Sequence, residues 1–121
     1  MKIYLAGPMR GYPNFNFPAF DYAAERLRQE GHLVFSPADH DRSVDPRIED
    51  NPTGDEDLAA KVTGFSIRDA LAADTSWICN EADAIALLPG WEKSSGATAE
   101  RALAVALGLS IIILGKEYTR A

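Results

Sequence analysis

Two carboxylates stand where the surrounding sequence is apolar. Ile67, Leu71, Asp74 and Ile78 are spaced i, i+4, i+7 and i+11, so a helix through them carries Asp74 in the middle of an apolar stripe. Glu100 lies on the shoulder of a second stripe, Ala99, Leu103 and Leu107, one turn from the start of its helix, with Arg101 facing away. A carboxylate beside a core-facing stripe is costly unless it is paired or used. Each has an ordinary explanation as well: a hydrogen bond at a helix–helix contact for Asp74, the helix dipole for Glu100. The same anomaly on two helices points to one shared pocket. With Tyr4 on a first strand, the pair suits acid–base or nucleophilic work at a glycosidic bond. One group attacks the anomeric carbon, the other protonates the leaving group, and a retaining pair stands about 5–5.5 Å apart.

Other chemistries find less support. Residues 7–14 form a loop with two glycines, two prolines and Arg10. It matches neither the dinucleotide fingerprint nor the P-loop. Its backbone N–H groups can still face an anion, and Arg10 can clamp a phosphate or simply be solvated. There is no Ser/His/Asp set, Cys79 lacks a base partner, and no zinc ligand set exists. Asp39-His40-Asp41 suggests a metal, but an EF-hand begun at Asp41 would need glycine and glutamate where Pro46 and Pro52 stand. The cluster reads as a solvated acidic loop, and neither a metal nor a cofactor is expected.

These groups need elements to hold them. Residues 2–6 read as a central strand, and Asn16 caps a helix with Pro18 in its first turn. Phe20, Ala23, Ala24 and Leu27 form its apolar face, and Gly31 closes it. A second strand at 33–36 makes a parallel pair with a right-handed crossover. Residues 36–57, with three prolines and eight acidic residues, read as a long loop that is a lid, a binding loop or disordered. A helical pattern from 55 to 80 breaks near Gly64. Strand 83–88 then stops at Pro89-Gly90, crosses a Ser/Gly turn and enters the Glu100 helix. Ser110 to Leu114 reads as a buried parallel strand, followed by a short tail. The expected fold is a flavodoxin/Rossmann-like single α/β domain over 1–121, its four- to five-stranded parallel sheet flanked by helices, with strand order 2-1-3-4.

Composition agrees with one domain: 121 residues, 46% of them apolar. A formal net charge of −6 argues against unspecific binding to nucleic acid or an anionic membrane. No stretch reaches transmembrane length, the apolar start is too short for a signal peptide, and the single cysteine suits a reduced compartment. The expectation is a cytoplasmic protein with a small-molecule ligand, no nucleic acid and no membrane.

Ile3 to Gly11, Asp74 with Ala82-Asp83, Leu88-Pro89-Gly90-Trp91 and Ser94-Ser95-Gly96-Ala97-Thr98-Ala99-Glu100 together resemble the nucleoside 2-deoxyribosyltransferase superfamily. The likeness is greatest to a small, often phage-encoded branch of the DUF4406 type, and runs in order along nearly the whole chain. It implies that Glu100 is a nucleophile forming a glycosyl-enzyme intermediate, that Tyr4 orients it, and that Asp74 handles protons on the leaving base. It also implies substrate and phosphate contacts from Gly7, Met9, Arg10, Gly11, Ser94 and Gly96. Deoxyribosyltransferases proper carry aspartate six residues before the nucleophile. Ser94 and the Arg10 loop are instead similar to deoxynucleoside 5′-monophosphate N-glycosidases, and a hydroxyl tolerates a phosphate that a carboxylate repels. The resemblance therefore implies a nucleotide substrate cleaved, or its sugar transferred, at the N-glycosidic bond, and a homo-oligomer (dimer or higher) with a shared active site. A non-catalytic nucleotide-binding domain, or an enzyme on a modified or signalling nucleotide, remains the alternative.

Overall fold

The computed structural model describes residues 1–119. Four strands, β1 (Lys2–Ala6), β2 (Leu33–Phe35), β3 (Ala84–Leu87) and β4 (Ser110–Ile113), pair in the order β2-β1-β3-β4, all parallel. The helices are α1 (Phe17–Gln29), α2 (Pro37–Val44), α3 (Glu56–Thr63), α4 (Ile67–Asn80) and α5 (Ser95–Ala106). The protein is a single small α/β domain of Rossmann/flavodoxin-like architecture.

The period of two in β1 sorts the core into two halves. Ile3 and Leu5 pack with Ala84, Ala86 and Leu88 against Phe17, Phe20, Ala23, Ala24 and Leu27 of α1. Tyr4 and Ala6 face the other way, with Ile85 and Leu87, against Ile78 of α4 and Ala97 and Ala104 of α5. This alternation sends the phenol of Tyr4 towards the two helices that carry the carboxylates.

β1 connects leftwards to β2, while β3 and β4 follow on its right, so the order reverses between β1 and β3. In open parallel sheets the crevice beyond the strand ends at such a point is where ligands bind. The loop after β1, the entry to α2 after β2, and the turn into α5 after β3 all lie on that carboxyl edge.

Five expectations need correction. Residues 36–57 are not a long loop: Pro37–Val44 is helical and Pro46–Glu49 forms a 3-10 turn. Pro37 opens α2 at its first turn, where the missing N–H costs nothing. The buried residues of α5 are Ala97, Glu100 and Ala104, whereas Ala99 and Leu107 are exposed, so Glu100 sits inside the buried stripe rather than on its shoulder. Arg101 does not face away: its guanidinium lies over the Trp91 ring, 5.3 Å from the centroid. β4 is not buried, because it is the sheet edge and Ile113 stays 62% exposed. Asn16 holds the N-cap position of α1 without capping it. Its φ is 62° and its side-chain amide donates to the Pro8 carbonyl at 3.0 Å. Gly64, at φ 74°, ends α3 and marks the expected break.

Asn14, Phe15 and Asn16 are consecutive left-handed residues, with φ of 53°, 54° and 62°. The Asn14 N–H donates to the Asn51 carbonyl at 2.8 Å, and the buried Phe15 ring packs beside Phe17 and Phe65. Gly54, at φ 66°, passes so close to Tyr12 that a Cβ would strike its backbone, and its carbonyl accepts the Gly11 N–H at 3.0 Å. The segment between α2 and α4 is thus stitched to the loop after β1, and the two enclose the crevice.

Candidate active site

The crevice is a cleft of about 470 Å³, lined at its floor by Tyr4, Asp74 and Glu100. The Tyr4 hydroxyl donates to Glu100 Oε2 at 2.5 Å, with both groups buried. Glu100 is 6% exposed and Asp74 7%; Asp74 Oδ1 has no hydrogen-bond partner among the described residues. The sheet order causes this meeting, since β1 lies beside β3 and so beneath α5.

Desolvation dominates the electrostatics. Burial pushes Glu100 up to about 8; the Tyr4 hydrogen bond works the other way, and the charges of Asp74 and Asp41 add to the rise. Burial raises Asp74 to about 6, with Tyr4 again favouring the ionised form. Tyr4 itself rises well above its ordinary value through burial, then through the charges of Glu100 and Asp74. A cleft with carboxyls poised across neutrality can both take and give protons, which acid–base chemistry needs.

At the other side Gly7, Met9, Arg10, Gly11, Ser94 and Gly96 also line the cleft, so all nine expected site residues share it. Gly7 is required by proximity: a Cβ there would lie 2.8 Å from that of Leu88. Ser94 is the N-cap of α5, its oxygen accepting the Ala97 N–H at 3.2 Å while its own proton stays free to donate. Arg10 bridges two elements. It donates to Ser95 Oγ at 2.9 Å and pairs with Glu56 at 3.0 Å, while remaining 52% exposed. Together with Lys93, this edge presents cations and a helix N-terminus to the cleft.

Sequence reasoning missed Asp41. The Asp39-His40-Asp41 cluster is divided by α2. Asp39 faces outward to Arg28 and Arg42, the His40 ring packs on Phe35 at 5.8 Å, and Asp41 turns into the cleft. Burial, then the charge of Asp74, lifts Asp41 to about 7. The available signal was Ser36-Pro37, a helix start that would have turned a loop aspartate into one with a defined face. Phe15, Phe20 and Phe65 were also missed as an apolar wall. Among the described residues no group of His, Cys, Asp and Glu could hold a metal ion.

Fold and cleft define a small α/β domain with a cleft at the carboxyl edge of its sheet. The chain belongs to the family described as Domain of unknown function (DUF4406), which it matches over residues 1–113. No curated protein matches it, and no solved structure does. No helix among the described residues is long and apolar enough to cross a membrane.

Proposed function

We propose that the protein cleaves the N-glycosidic bond of a deoxynucleoside 5′-monophosphate, or transfers its sugar, with Glu100 as nucleophile. The observation that carries this reading is the buried Tyr4–Glu100 hydrogen bond beside Asp74, whose Oδ1 has no hydrogen-bond partner among the described residues, at the floor of a cleft whose rim holds Arg10, Lys93 and the start of α5. The motif resemblance set out above supports the same assignment. With Oε2 held by Tyr4, Oε1 of the ionised Glu100 attacks C1′. The C1′–N bond breaks, its electron pair stays on the base, and Asp74 supplies the proton to the base nitrogen or a conjugated oxygen. Water, or an acceptor base, then releases the sugar from Glu100. The 5′-phosphate meets Arg10, Lys93 and the Ser94 hydroxyl at the N-terminus of α5. The cleft needs no resident cofactor for these steps, and the setting is a cytoplasmic homo-oligomer.

The test is a screen of deoxynucleoside monophosphates for free-base release. Glu100→Gln keeps size and helix, so nucleotide should still bind while turnover falls by several orders of magnitude. A 2′-fluorinated substrate analogue should leave a sugar adduct on the Glu100 peptide, read by mass spectrometry. Release unaffected by Glu100→Gln, or an adduct elsewhere, removes the assignment. Tight nucleotide binding without base release from the unaltered protein would favour a non-catalytic binding domain.

A further inference from the structure

The cations and carboxyls of the cleft are segregated. Arg10, held by Ser95 and Glu56, lies with Lys93 at the start of α5. Asp41 of α2 and Asp74 of α4 face the remaining space, beside the aromatic wall of Phe15 and Phe65. The influences that set the ionisation of Asp41, Asp74 and Glu100 are burial, Tyr4 and one another, with no cation among them. If the phosphate takes the Arg10 side and Glu100 the sugar, the base falls between the aromatic wall and these two carboxyls. The Tyr4 hydroxyl, which also lines the cleft, has already given its proton to Glu100. Asp41, 9% exposed, lines the same space, and Asp74 Oδ1 is buried there without a hydrogen-bond partner among the described residues.

A carboxylate only accepts hydrogen bonds. An exocyclic amino group on the base supplies the donor that the ionised Asp41 lacks. A carbonyl in its place sets lone pairs against lone pairs and leaves buried acceptors unmatched, a cost larger than the gain from one good bond. We propose that Asp41 is the specificity-determining residue for the base, selecting one with an exocyclic amino group over its carbonyl counterpart. Cytosine is then preferred to uracil, and adenine to hypoxanthine. This rests on the nucleotide reading above.

Protonation modulates the selection. Tyr4 from β1, Asp41 from α2, Asp74 from α4 and Glu100 from α5 face this space, while His40 is turned aside onto Phe35. A protonated carboxyl gains an O–H that can serve a carbonyl, so discrimination should be widest at alkaline pH and narrow in acid.

The experiment compares kcat/KM for base release from dCMP and dUMP, and from dAMP and dIMP, with equilibrium binding of the same four to Glu100→Gln. At about pH 8 the amino-bearing member of each pair should be favoured roughly tenfold or more. At about pH 5.5 the ratio should shrink, with the unaltered protein as its own control. Asp41→Asn, whose amide can donate to a carbonyl, should bring the ratio towards unity. Equal use of both members at alkaline pH, or an Asp41→Asn protein with the original ratio, overturns the inference and leaves the glycosidase reading intact. If none of the four is bound or cleaved, the nucleotide reading falls and takes this one with it.

Discussion

Glu100 and Asp74 hold their protons in the order opposite to their proposed tasks. A nucleophile must be ionised, yet Glu100 is raised to about 8; an acid must be protonated, yet Asp74 titrates near 6. The working arrangement is therefore a minor one, and kcat/KM should follow a bell between these values whose limbs belong to the coupled pair. The Tyr4 hydroxyl favours the ionised form of both carboxyls, so its removal should raise both. Tyr4→Phe is accordingly expected to move both limbs of the profile to higher pH and slow base release at neutrality. Unmoved limbs would show that the 2.5 Å hydrogen bond does not govern ionisation.

At the scale of elements, the cover of the cleft hangs on a close approach of two loops. Gly54 gives its carbonyl to Gly11 and leaves no room for a side chain against Tyr12. Gly54→Ala has both a left-handed φ and a steric clash to overcome, so it should destabilise by more than about 1 kcal/mol. Nucleotide affinity should fall as the walls separate; denaturant melts and titration calorimetry check the two parts. Unchanged stability and affinity would mean that the cover closes without this contact. The sequence disclosed this region least well. All four strands and their order were legible, because β-branched and apolar runs between glycine and proline breaks are local signals. Asp74 and Glu100 stood out as carboxylates beside apolar stripes, and Tyr4 was noted on the first strand. Asp41 did not, since α2 and the 3-10 turn are short, acidic and fixed by tertiary contacts such as Asn14 N–H to the Asn51 carbonyl. The stripe on α5 was misjudged for a related reason. Small Ala97 and Ala104 face the sheet closely there, while the larger Leu107 points outward.

For the whole molecule, an edge strand with Ile113 62% exposed and a neighbouring helix with Val105 and Leu107 about half exposed leave apolar area uncovered. A shared site in a homo-oligomer would use such area, and light scattering at micromolar concentration should return a multiple of 13.2 kDa. A mass equal to one chain at every concentration would sink the shared site. The three cleft carboxyls, at about 6, 7 and 8, also make the domain a small buffer near neutrality. A ligand that enters must alter how many protons they hold, and the surrounding solution supplies or absorbs the difference. The heat of nucleotide binding should therefore change with the ionisation enthalpy of the buffer, the measured enthalpy being more positive in Tris than in phosphate if protons are taken up. Identical heats would mean that the cleft receives its ligand without moving a proton.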